Sequence, residues 1–141
     1  MIGFFLLAVL ITISFATAHG QVMQTRAKIE TTWGSPTKRL DGTFPVTEQC
    51  AYKTGGWSLA VSYMKDSAIK VIYVKANVSA ITEAEINTIL AANRKVGDWI
   101  VTDRLKEATA YKNQKDHVEA VVSSTMIILT NSTIASVERG E

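Results

Sequence analysis

Trp57-Ser58-Leu59-Ala60-Val61-Ser62-Tyr63, a polar break at Lys65-Asp66-Ser67, then Ile69-Lys70-Val71-Ile72-Tyr73-Val74-Lys75: this stretch decides the fold. In the first run Trp57, Leu59, Val61 and Tyr63 alternate with Ser58, Ala60 and Ser62. That period of two marks a half-buried strand with bulky residues on one face and small ones on the other. The second run puts Ile69, Val71 and Tyr73 on one face and Ile72 and Val74 on the other, so it reads as a central strand covered on both sides. The polar break between them predicts a turn.

Upstream, Gly55-Gly56 supplies a hairpin turn with positive φ available, and residues 49–53 form the strand before it. Residues 35–47 contain Pro36, Asp41-Gly42 and Pro45 and read as an irregular loop. Before that loop, Val22, Ile29 and Trp33 share one face of a helix over residues 22–33, ended by Gly34 and Pro36. Downstream, Thr82 and Glu85 make a capping box flanked by the Ile81/Ile86 staple. They open a second helix with Ile86, Ile89 and Leu90 as its buried stripe and Gly97 marking its end. Residues 107–112, 118–123 and 125–130 read as further strands, with Val121-Val122 as a possible bulge. Residues 131–141 are polar and expected to fray. Glu48-x-x-Ala51-Tyr52-Lys53 is echoed by Glu107-x-x-Ala110-Tyr111-Lys112, the mark of two copies of a helix-plus-meander unit. The fold class is therefore α+β: one antiparallel sheet of five or six strands with two helices on one face, in helix-meander-helix-meander order.

Apolar residues make up 47% of the 141, but they are concentrated at the start. Residues 2–15 are apolar except for Gly3, Thr12 and Ser14, and Ala16-Thr17-Ala18 fits the small-x-small pattern before signal-peptidase cleavage. Residues 1–18 thus read as a signal peptide and residues 19–141 as one α+β domain, periplasmic or extracellular. No Lys or Arg precedes the apolar run, while Arg26 and Lys28 follow it, which is the bias of an uncleaved anchor. A membrane-anchored accessory protein keeping residues 2–18 is the alternative.

Chemistry is sparse. One cysteine excludes an internal disulfide and a cysteine-based zinc site. Cys50 shares strand parity with Tyr52 and reads as a small core residue, with nothing placed to lower its pKa. His19 would sit at the new amino terminus, and His117 at a hairpin turn beside Asp116. A small hydrolase using His117 with a carboxylate is the lesser alternative. No catalytic, metal or cofactor residues are assigned. A net charge of +2, with basic pairs at Lys38-Arg39 and Arg94-Lys95, does not point to nucleic acid. Trp33, Trp57 and Trp99 each flank a predicted element. They either pack helices onto the sheet or, with Tyr52 or Tyr111, line a partner surface.

The order helix, Trp33-Gly34-Ser35-Pro36, loop, then a meander with Gly55-Gly56-Trp57 resembles small exported bacterial α+β proteins. It is similar to outer-membrane assembly lipoproteins of the BamE type and to β-lactamase inhibitor proteins. It also resembles uncharacterised secreted proteins with W-G-x-P, G-G-W and E-A-E-I segments. The resemblance covers residues 22–75 and implies helices on one face of an antiparallel sheet and protein binding without catalysis. The chain lacks the lipoproteins' anchoring cysteine and the inhibitors' disulfides. The expectation is an exported, non-catalytic binding or cell-envelope module, without cofactor, whose partner is another envelope or secreted protein.

Overall fold

The computed structural model describes residues 22–141. In chain order these form α1 (Arg26–Trp33), β1 (Lys38–Asp41), β2 (Glu48–Thr54), β3 (Trp57–Met64), β4 (Ser67–Lys75), α2 (Glu83–Ala92), β5 (Ile100–Arg104), β6 (Ala108–Asn113), β7 (Val118–Ser123), β8 (Met126–Asn131) and α3 (Ser132–Glu138). The strands make one antiparallel sheet in the order β1-β2-β3-β4-β8-β7-β6-β5. The signal-peptide reading of residues 1–18 lies outside the described residues.

The expected five or six strands and two helices are corrected to eight strands and three helices among the described residues. The two strands missing from the sequence reading, β1 and β5, are the sheet's two edges, and every residue in them is exposed. A strand wet on both faces has no apolar alternation to read. β1 also lies within the proline-bounded segment read as loop. The third helix occupies the tail expected to fray. Asn131 caps it by accepting from the backbone N–H groups of Thr133 and Ile134, and Ile134 and Ala135 are buried.

Nor do all helices share one face. The core joins Ile29 and Trp33 of α1 and Ile89 and Leu90 of α2 to Tyr52, Leu59, Val61, Tyr63, Val71, Tyr73, Val118, Ala120, Val122, Ile127 and Leu129 of the sheet. These strand residues share one parity and one face. Helix α3 instead binds residues of the opposite parity: Lys70 pairs with Glu138 at 2.9 Å and Glu119 with Arg139 at 2.9 Å. It therefore crosses the other face, where Ser62 and Thr130 are buried.

Local chemistry sets the helix boundaries. Thr82 accepts from the Glu85 N–H while the Glu85 carboxylate accepts from the Thr82 N–H, so the capping box is formed. Such a cap contributes about 1 kcal/mol. The helix ends at Ala92 rather than running on to Gly97. Gly97 serves packing instead, since a Cβ there would fall on the side chain of Asn113. The bulge proposed at Val121-Val122 is absent: that stretch pairs regularly with β6 and β8, and the register shifts lie at Ser62/Tyr63 and Val101/Asp103.

The element order α-β-β-β-β occurs twice, and the two halves meet at β4 and β8. Their pairing places Ile72 opposite Ile128, with Val71 opposite Leu129 and Tyr73 opposite Ile127. An approximate two-fold axis through the Ile72–Ile128 pair therefore exchanges the halves. The echo between β2 and β6 falls at matching places in the two halves.

Candidate functional site

Matching the halves residue by residue locates the site. Aligning Tyr52 with Tyr111 makes Cys50 the counterpart of Thr109. Cys50 pairs across the sheet with Val61, and Thr109 with Val122, so those valines correspond as well. Glu48 pairs with Tyr63; extending the β6–β7 register one residue beyond the Ala108–Ser123 pair sets Ser124 opposite Glu107. The first helical residues after the caps Thr25 and Thr82 are Arg26 and Glu83.

In the amino-terminal half the space between helix and sheet is closed. Arg26 forms an ion pair with Glu48, and its guanidinium sits 4.6 Å from the centroid of the Tyr63 ring. The Tyr52 and Tyr63 hydroxyls are 2.7 Å apart, and the Tyr52 hydroxyl also donates to Glu30 at 3.2 Å. Cys50 Sγ donates to Glu48 Oε1 at 3.5 Å. The electrostatics follow from this packing. The hydrogen bond from Arg26 holds the Glu48 carboxyl below its ordinary range, and the same bond raises Arg26 despite its burial. Burial pushes the Cys50 thiol up, with the Glu48 carboxylate adding to it. Burial likewise pushes the Tyr63 phenol up to about 12. A buried thiol kept protonated is a poor nucleophile, so this cluster is a sealed structural network.

In the carboxy-terminal half the same space is open. Serine stands in place of tyrosine at 124 and glutamate in place of arginine at 83, and the ion pair between strand and helix is instead Lys75 of β4 with Glu85 of α2 at 2.8 Å. The result is a groove of about 790 Å³ between the start of α2, the β5–β6 hairpin and the β7–β8 turn. Ile81, Ile86, Tyr111 and Val122 form its apolar lining, Leu105 stands at its margin 58% exposed, and Lys106, Glu107, Thr109, Ser123, Ser124 and Thr125 supply polar groups. The groove is open to solvent and its lining mixes polar and apolar groups. Tyr111 is the aromatic residue in its lining, and none of Trp33, Trp57 and Trp99 reaches it. Leu105, Lys106, Ser124 and Thr125 were not singled out from sequence, although extending the β2/β6 echo into the strands beside it would have exposed the Tyr63-to-Ser124 change.

The three tryptophans do not gather on one surface. Trp33 is 6% exposed and packs against Tyr52 and Tyr73, with ring centroids 5.8 and 6.3 Å away. Trp57 is half-buried and meets Tyr73 edge-on at 6.1 Å. Trp99 is half-buried, and its indole N–H donates to the Leu90 carbonyl at the end of α2. His117 is exposed in the β6–β7 turn with φ 54°, and among the described residues its ring is given no hydrogen-bonding or ionic partner that would make a dyad. Its neighbour Asp116 is fully engaged elsewhere, accepting from the backbone N–H groups of Lys95, Val96 and Gly97 and from the Asn113 amide. Desolvation raises the Asp116 pKa, but those donors outweigh it and hold it below the ordinary value. Among the described residues no three His, Cys, Asp or Glu side chains come together as a metal site.

A scan of family models finds no match, and neither does a search of curated proteins. Among solved structures, the chain is similar to a DUF4309 family protein, YjgB, from Bacillus subtilis subsp. subtilis str. 168. Identity is 14% with a TM-score of 0.43, over 77% of this chain and 78% of that one. The resemblance to BamE-type lipoproteins and β-lactamase inhibitor proteins gains no support from these comparisons.

Proposed function

We propose that the chain is an exported, non-catalytic binding module whose contact site is the groove of the carboxy-terminal half. The observation that carries this reading is the asymmetry of the duplication. One copy fills the space between helix and sheet with Tyr63 and the Arg26–Glu48 pair; the other leaves an open groove with Ile81, Ile86, Tyr111 and Val122 among a larger set of polar groups. A copy that only had to fold would gain from being sealed, because unfilled apolar surface costs roughly 25 cal/mol per Å². The apolar segment and Ala16-Thr17-Ala18 support export. Retention of residues 2–18 as an anchor is the second reading, favoured by the lack of a basic residue ahead of the apolar run.

The test is capture of envelope proteins by the tagged chain, run side by side with Ser124→Tyr, which rebuilds the plug of the sealed half. A partner retained by the wild type and lost by a folded Ser124→Tyr protein is the expected result. A partner held equally by both, or none held by either, defeats the reading.

A further inference from the structure

One end of the sheet gathers every segment next to the point where the chain comes in. The β1–β2 loop reaches the β3–β4 turn through Thr47, whose N–H donates to the Tyr63 carbonyl and whose Oγ1 accepts from the Lys65 N–H. The incoming chain joins that turn through a Thr25–Ser67 bridge and through Arg26 N–H to the Asp66 carbonyl. Ser132 N–H donates to the His117 carbonyl, adding the β6–β7 turn, and Asp116 then holds the α2–β5 loop by its backbone N–H groups. The Asn131 side-chain amide donates to Met23 Sδ at 3.2 Å and joins these two groups of contacts into one rim.

Among the described residues, six of the twelve exposed large hydrophobic residues lie along this rim: Met23, Leu40, Phe44, Met64, Val96 and Ile100. Phe44 is 95% exposed and Val96 77%, both in loops. Lys65, Lys95 and Lys115 stand on the same rim, and their ammonium groups make no ion pair among the described residues. Of the rim's acids, Asp98 is paired with Arg94 and Glu48 with Arg26, while Asp41, Asp66 and the Asp116 carboxylate, held by backbone donors, stand beside the lysines.

The sequence outside the described residues names the occupant. The apolar run ends at Phe15, and only residues 16–21 separate it from Val22 on this rim. Six residues span roughly 20 Å at full extension. With the apolar run in a bilayer, the rim is held within that distance of the headgroups.

We propose that this rim is a lipid-contacting face: Phe44 and Val96 enter the headgroup region of a bilayer while the three lysines meet its phosphates. The groove, at the opposite end of the sheet beside Leu105 and Ser124, then points away from the membrane. The inference rests on the reading in which residues 2–18 are retained as an anchor, and not on what the groove binds.

The full chain, reconstituted into vesicles of phosphatidylcholine and phosphatidylglycerol, tests it. Spin labels go on Phe44→Cys, Val96→Cys, Val78→Cys and Leu105→Cys, singly; Cys50, 2% exposed, stays unlabelled in the folded protein. The labels at 44 and 96 are expected to gain oxygen accessibility and lose accessibility to a water-soluble nickel chelate, while those at 78 and 105 stay water-like. A measurement on the unmodified protein guards against misfolded variants: vesicles should slow acetylation of Lys65, Lys95 and Lys115 several-fold but not that of Lys53 and Lys106. Four equally water-like labels, or protection of the 78/105 end, overturn the proposal. So does recovery from cells of a soluble chain beginning after Ala18 that shows no lysine protection by the same vesicles.

Discussion

Exchanging the plug between the halves tests the duplication directly. Tyr63→Ser removes a ring with no exposed surface from the sealed half, together with a hydroxyl 2.7 Å from that of Tyr52 and the face beneath the Arg26 guanidinium. Truncating a buried aromatic costs about 3–5 kcal/mol. Loss of the cation–π contact adds about 1 kcal/mol. Tyr52 keeps Glu30 as a partner, so its hydroxyl is not stranded. The expected loss is therefore about 4–6 kcal/mol, a large part of the 5–15 kcal/mol that a domain of this size has in total. Tyr63→Phe keeps the ring and should cost only about 1 kcal/mol. Ser124→Tyr goes the other way. Ser124 is exposed beside a groove of about 790 Å³, which has room for a phenol ring. Its effect should lie within about 1 kcal/mol of zero, with reduced binding of an apolar dye. Urea titration followed by far-ultraviolet dichroism measures all three. If Tyr63→Ser costs less than about 2 kcal/mol while Ser124→Tyr costs more than that, the correspondence between positions 63 and 124 is wrong.

Other outcomes follow from single contacts. Gly97→Ala drives a methyl onto the Asn113 side chain and toward Lys115, and should lower stability by about 2–3 kcal/mol by overpacking, read as a fall in melting temperature. Glu48 has its pKa depressed by Arg26, so its contribution is complete above its unfolded value of about 4.5 and is lost as pH falls through the folded value. Stability of the wild type should accordingly drop more steeply below pH 4.5 than that of Glu48→Gln; parallel acid profiles would remove the pair from the account. Cys50 is 2% exposed with a raised pKa, so a thiol reagent should modify it only as fast as the protein unfolds. Rapid stoichiometric labelling under native conditions would contradict its placement in the core.

What could be read from sequence was whatever one-sided burial imprints on it. Leu59, Val61 and Tyr63 alternate because one face of β3 meets the helices and the other is polar, and Thr82 with Glu85 records a cap in four residues. β1 and β5 left no such imprint because water covers both their faces. Helix α3 was hidden for another reason: seven residues with only Ile134 and Ala135 buried make too short a stripe for a helical period to show. The groove is harder still, because it consists of what is missing. Ser124 and Glu83 are unremarkable residues by themselves; they carry meaning only beside Tyr63 and Arg26, which demands the registers of both halves.

The two edges also differ in a way that bears on the groove. β1 is four residues long, carries Lys38 and Arg39, and lies between Pro36 and Pro45. Short length, cationic side chains and flanking prolines are how natural sheets discourage a further strand from adding. β5 is longer, shows Ile100 and Val101 to solvent, and leads into Leu105 at the groove. It carries Asp103 and Arg104 and a register shift between Val101 and Asp103, but no proline flanks it and its first two residues are apolar. A partner strand laid along β5 would thus meet open backbone groups on one side and the apolar groove around its end, an arrangement β1 does not offer. Val101→Pro removes one backbone donor from β5 while leaving the groove lining in place. If the outward backbone takes part in recognition, capture should weaken in this variant even with Ser124 intact. Unchanged capture by a folded Val101→Pro protein would confine recognition to the groove and take the edge out of the mechanism.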